Sequence, residues 1–92
     1  MKKILRVMKC GEAFSVKSEK AESGTIQKRN LVLQEIGGKY EDQYAVSTYG
    51  NLAACVFSEG EIVYAALRFQ ARDYNGQTFQ DITANDIVKL KN

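Results

Sequence analysis

Residues 61–90 read Glu61-Ile-Val-Tyr-Ala-Ala-Leu-Arg-Phe-Gln-Ala-Arg-Asp-Tyr-Asn-Gly-Gln-Thr-Phe-Gln-Asp-Ile-Thr-Ala-Asn-Asp-Ile-Val-Lys-Leu90, and this stretch decides how the chain folds. From Val63 the odd positions Val63, Ala65, Leu67, Phe69 and Ala71 are apolar, while the even positions Tyr64, Arg68, Gln70 and Arg72 are larger or polar. A period of two describes a strand with one buried and one free face. Asn75-Gly76 then supplies the two residues that best tolerate the positive φ of a tight hairpin turn. The returning segment 78–90 holds the β-formers Phe79, Ile82, Thr83, Ile87 and Val88. The expectation is a long β-hairpin whose free face presents arginines and tyrosines together.

Immediately upstream, Gly50 breaks a strand, Asn51 is a suitable helix N-cap, and Leu52, Ala53, Cys55 and Val56 recur at helical spacing for about two turns. Ser58-Glu59-Gly60 closes that helix, with Gly60 placed for the left-handed conformation. Further upstream, segment 43–49 reads as a strand, Gly37-Gly38-Lys39-Tyr40 as a turn, and segment 28–36 as a strand with Leu31 and Leu33 on one face. Residues 18–27 are polar, small and aperiodic, which describes an exposed loop. Residues 2–17 alternate loosely around Gly11, the pattern of one long strand with a bend or bulge.

Strand, strand, strand, short helix, strand, strand is the connectivity of the OB-fold, a small, partly open, five-stranded Greek-key barrel. Its first strand is bent because it takes part in both sheets. An SH3-like barrel is the rival, but its helical turn falls between the last two strands. The fold class expected is therefore all-β, an OB-fold spanning residues 1–92 as one domain, with Val63, Leu67, Phe69, Leu52, Val56, Leu31 and Leu33 in the core.

The totals agree with a small globular protein. The chain has 92 residues, is 45% hydrophobic and 26% charged, and carries a net charge of only +2. That balance permits nucleic-acid binding without arguing for it. No apolar run approaches the roughly 20 residues that cross a bilayer, and Arg6 and Lys9 interrupt the start, so the expected location is the cytoplasm. There is no histidine, which removes the usual general base and the commonest metal ligand. Cys10 and Cys55 have no metal-ligand spacing and read as two buried thiols, a disulfide between them being the less favoured reading. Asp81 and Asp86 lie at odd spacing for paired carboxylates. Neither catalysis nor a cofactor is expected.

The second half carries a family resemblance. Thr48-Tyr49-Gly50-Asn51-Leu52-Ala53 resembles the aromatic-Gly-x-Leu-Ala element that opens the helix of bacterial single-stranded DNA-binding proteins. Glu59-Gly60-Glu61-Ile62-Val63-Tyr64 is similar to that family's entry to strand four, and Arg72-Asp73-Tyr74-Asn75-Gly76-Gln77-Thr78-Phe79 to its hairpin. Asp81-Ile82-Thr83-Ala84 matches its last strand. The resemblance covers residues 46–90 and extends to short OB-fold proteins of Bacteroidetes-type bacteria. It implies non-enzymatic binding of single-stranded DNA (RNA being the alternative ligand) with little sequence preference, in DNA replication, repair or recombination.

The chain departs from the family in having no tryptophan, and Gln43, beside Tyr44, stands where the family has a strand-three aromatic. It also lacks the family's Gly/Pro/Gln-rich tail and acidic tip, so a role in recruiting partners is not expected. Self-association as a homodimer or homotetramer is expected, because the long hairpin and first strand have edges to cover.

Single strands are held by bases stacked on aromatic rings and by cations at phosphates. The candidates are Tyr74 at the hairpin tip, Tyr64, Arg68 and Arg72 on the free face, Tyr49 before the helix, Tyr44, and Phe79. Lys28 and Arg29 would enter the second strand beside the groove. Each has a plainer reading: a solvated turn tyrosine for Tyr74, a barrel seal for Tyr49, a core ring for Phe79, and ordinary strand-face charges for the cations. Glu59, Glu61, Asp73, Asp81 and Asp86 lower the local potential, so binding should be modest and salt-dependent. A second reading is an OB-fold accessory or protein-interaction domain without nucleic-acid binding, in which the arginines are paired with acids or buried at an interface.

Overall fold

The structure is a computed structural model and describes residues 1–90; Lys91 and Asn92 lie outside the described residues. Six strands form: β1 Lys2–Cys10, β2 Phe14–Lys17, β3 Thr25–Glu35, β4 Gln43–Tyr49, β5 Ile62–Tyr74 and β6 Gln77–Lys89. A 3-10 turn, η1, spans Gly50–Ala54. The strands are hydrogen-bonded in the order β1-β5-β6-β4-β3-β2, and β1 also pairs with β3, so the sheet closes into a ring. All pairings are antiparallel except β4 with β6, which meet in parallel at Ser47 and Thr83.

The expected single first strand is divided in two. Between Val7 and Lys9 the pairing to β3 shifts by one residue, and the chain leaves β-structure at residues 11–13 before β2 resumes on the first half of β3. Gly11 stands where its own N–H donates to the Asn30 carbonyl at 2.9 Å. A side chain there would put Cβ 3.0 Å from that oxygen, so the bend occurs where the smallest residue lets two backbones touch. The second strand begins three residues earlier than expected, at Thr25, which shortens the loop to residues 18–24. Segment 43–49 is a strand with the expected bounds.

The hairpin of β5 and β6 pairs from Val63–Lys89 to Tyr74–Gln77. Its turn has Asn75 at φ 52° and Gly76 at φ 77°, the left-handed values that favour this pair of residues. Between Ala66 and Leu67 the register slips, so that Asn85 is passed over and the hairpin twists more strongly.

The core is the inward side of the ring. Leu5, Val7, Leu31, Leu33, Val46, Val63, Ala65, Leu67, Ala84 and Ile87 are buried there, with Phe57 closing it. Two core expectations fail for one reason. The expected two-turn helix is a single 3-10 turn without a side-chain cap, and Cys55 already has extended backbone (φ −76°, ψ 129°). Asn51 lies inside the turn rather than capping it. A segment of this length does not repay helix nucleation. The extended chain then alternates, turning Phe57 inward and leaving Val56 61% exposed. Leu52 is half-buried. Gly60 has φ 88° and serves the turn into β5.

Phe69 is also not buried: it is 41% exposed, because β5 and β6 run on past the end of the core. Its ring meets that of Tyr44 edge to face, with centroids 6.1 Å apart at 80°. The thiols differ from expectation as well, for Cys10 is half-buried and Cys55 exposed, both free. Among the described residues no helix is long and apolar enough to cross a membrane.

Candidate nucleic-acid interface

Alternation in paired strands decides which side chains meet outside the ring. On β3 the odd residues Leu31 and Leu33 are buried, so Lys28, Asn30 and Val32 face outward. On β4, Val46 and Thr48 are buried, so Ala45, Ser47 and Tyr49 face outward and lie beside Val32, Asn30 and Lys28 respectively. On the hairpin, Arg68, Gln70 and Arg72 share the outward side with their partners Thr83, Asp81 and Phe79. Because β4 and β6 touch at a single parallel pair, these two outward surfaces diverge. The space between them is a groove of about 620 Å³. Lys28, Ala45, Ser47 and Tyr49 form one wall, and Gln70, Arg72, Gln80, Asp81, Ile82 and Thr83 form the other.

Each wall carries a cation resting on an aromatic ring. The Lys28 ammonium lies 5.5 Å from the Tyr49 ring centre, and the Arg72 guanidinium 5.0 Å from that of Phe79. Such contacts hold a cation in place while leaving its polar edge available. Tyr49 and Phe79 are more than a third exposed. Asp81 moderates one side, accepting a hydrogen bond from Arg72 Nε at 2.6 Å. The remaining lining is uncharged, with apolar Ala45 and Ile82 among polar groups: Ser47 Oγ donates to Asn30 Oδ1 at 3.0 Å, and Gln80 Nε2 donates to the Gln70 carbonyl at 3.3 Å. Rings, two cations and amides suit a ligand with flat faces and a negatively charged backbone. Among the described residues there is no group of His, Cys, Asp or Glu that could hold a metal ion.

Of the residues singled out in the sequence, Lys28, Tyr49 and Arg72 meet at this groove, with Phe79 against Arg72. Arg68 is exposed next to it, paired with the lining residue Thr83 and making no ion pair among the described residues. Four others are placed elsewhere. Arg29 has the parity of Leu31 and points to the inner end of the ring, where Nε donates to the Ala53 carbonyl at 2.8 Å and Nη1 to that of Gly11 at 2.7 Å. Tyr44 is half-buried against Phe69. Tyr64 lies on the outer face of β1, β5 and β6, between Ile4 and Val88. Tyr74 is 62% exposed near the hairpin tip and does not line the groove. Ser47, Gln80 and Thr83 were not singled out. Parity with Tyr49 points to Ser47, but the parallel contact that brings Thr83 opposite it has no local signature.

Comparison with known proteins finds no matching family model, no matching curated protein and no matching solved structure.

Proposed function

We propose that this chain is an OB-fold module that binds single-stranded DNA without catalysis and with little sequence preference. In the fold reading, β1 and β2 act as the two halves of one bent strand, and the Greek-key barrel runs through the ring β1-β3-β4-β6-β5. The order of that ring, the parallel contact of β4 with β6 and the turn η1 between the third and fourth barrel strands support it. The function reading is carried by one observation: the cations Lys28 and Arg72 line opposite walls of a single groove, Lys28 resting on the lining ring Tyr49 and Arg72 on the neighbouring ring Phe79. Bases stack on such rings while phosphates meet the cations, which gives affinity without reading sequence. Cytoplasmic DNA replication, repair or recombination is the corresponding setting.

Labelled oligo-dT followed by fluorescence anisotropy tests this. Two or three phosphate contacts predict that binding weakens roughly 50- to 300-fold between about 20 and 300 mM salt. Tyr49→Ala is expected to remove on the order of 1–3 kcal/mol of binding. Absence of binding at the lower salt refutes the proposal.

The Arg72–Asp81 pair favours a second reading, an accessory domain of the same fold that does not bind nucleic acid. Arg68, which has no such partner, favours the first.

A further inference from the structure

The part of β5 beyond the ring has a main-chain edge without a partner. Met1 and Leu67 exchange two hydrogen bonds: the Leu67 N–H donates to the Met1 carbonyl at 2.6 Å, and the Met1 ammonium donates to the Leu67 carbonyl at 2.8 Å. Pairing of β5 with β1 ends there, while pairing with β6 continues to Tyr74. Main-chain groups alternate in direction along a strand, so those of Phe69, Ala71 and Asp73 follow Leu67 and point away from β6. Among the described residues no strand pairs with them on that side, and residues 68–74 are all exposed. An edge of this kind is a template for one more strand. The side chains beside it alternate as well, with Arg68, Gln70 and Arg72 on the outward side and Phe69 and Ala71 on the other.

We infer that this edge takes an extended segment of a different protein, one in which acids alternate with apolar residues. The segment runs antiparallel to β5, in line with β1. Bonds from its main chain to Phe69, Ala71 and Asp73 supply affinity, and its side chains supply selectivity. Residues directly opposite one another share a side of the sheet. Acids therefore stand opposite Arg68 and Arg72, and apolar residues opposite Phe69 and Ala71. Arg72 already holds Asp81, whereas Arg68 makes no ion pair among the described residues, so the acid opposite Arg68 contributes most to the choice. A second copy of the chain fits this edge poorly. Antiparallel pairing of two such edges matches odd residues with odd, and its centre falls at Gln70, Ala71 or Arg72. These registers set Arg68 opposite Arg72, Arg72 diagonal to its counterpart, or Arg72 opposite its counterpart, and like charges so placed repel. The proposal does not depend on what the groove binds.

The probe is the peptide acetyl-Thr-Glu-Val-Thr-Val-Glu-Thr-amide, added to about 1 mM while amide hydrogen exchange is followed by NMR. Exchange at Phe69, Ala71 and Asp73 is expected to slow on the order of tenfold, because these amides gain acceptors. The same peptide N-methylated at both valines keeps its charges but cannot extend the ladder, and it is expected to leave the three amides unchanged. Arg68→Glu, folded by circular dichroism, is expected to bind the acidic peptide about three- to tenfold more weakly. It should in turn prefer the peptide with lysines in place of the glutamates. Unchanged exchange at the three amides overturns the proposal, as does equal binding of the N-methylated peptide. Slowing that develops without peptide as the protein is concentrated also overturns it, by assigning the edge to a second copy.

Discussion

Arg29 and Arg72 carry the same charge on strands that border one groove, yet they do different things, and alternation is the cause. Arg29 shares a side with Leu31 and Leu33, so its guanidinium is drawn to the end of the ring and ties the bend at Gly11 to the turn at Ala53. Arg72 shares a side with Gln70 and projects over Phe79. Replacing Arg29 by Met keeps the length and removes both donors, leaving two carbonyls without them. A loss of about 1–3 kcal/mol of stability is expected in urea unfolding; a change within about 0.5 kcal/mol would show that the clamp is dispensable. Asp81→Asn should have the opposite character. It releases Arg72 and removes a negative charge from the groove, so oligo-dT binding at low salt is expected to tighten about two- to fivefold. Weaker binding would mean that Asp81 serves to hold Arg72 in position. The inward turn of Arg29 was legible in the sequence, since the parity that puts Leu31 and Leu33 in the core includes it. The Arg72–Asp81 contact was not, because diagonal pairs depend on the hairpin's register and twist.

The hairpin is one element with two mechanical halves. Near the ring, Val63, Ala65 and Leu67 pack with Ala84 and Ile87; past Leu67 the strands are held mainly by their own ladder, by Ile82 against the edge of the core and by Phe69 against Tyr44. Local opening is cheap where few apolar contacts are broken. Hydrogen exchange should therefore protect hydrogen-bonded amides at 63–67 and 84–88 up to the global unfolding free energy, and release those at 71–79 by local opening. Uniform protection along both strands would contradict this division. Much of this element was readable: Asn75-Gly76 marks its turn and the apolar alternation marks its length. That alternation also made Phe69 look like core, because a period of two records which side a residue takes but not whether anything lies opposite it. Local spacing is equally incomplete for the short helix. Helical spacing at Leu52, Ala53, Cys55 and Val56 was present, but without a side-chain cap the segment stops at one 3-10 turn and Phe57 takes the inward place.

At the scale of the molecule, the closing of the sheet into a ring gives the outer surface two distinct regions. One is the groove where β4 and β6 diverge, with its rings, cations and amides; the other is the apolar row of Ile4, Tyr64 and Val88 on β1, β5 and β6. Tyr64 shares parity on β5 with Arg68 and Arg72, but the 13 residues of that strand extend across both regions. Which strands lie side by side is a property of topology, and single-residue patterns do not contain it. The central claim, that single-stranded DNA lies in the groove, is tested most directly by titrating isotopically labelled protein with oligo-dT and following backbone amide shifts by NMR. The account predicts shifts concentrated at Lys28, Ser47, Tyr49, Gln70, Arg72 and Thr83, fading at high salt. Shifts confined to the face around Ile4, Tyr64 and Val88, or none at all, would contradict it.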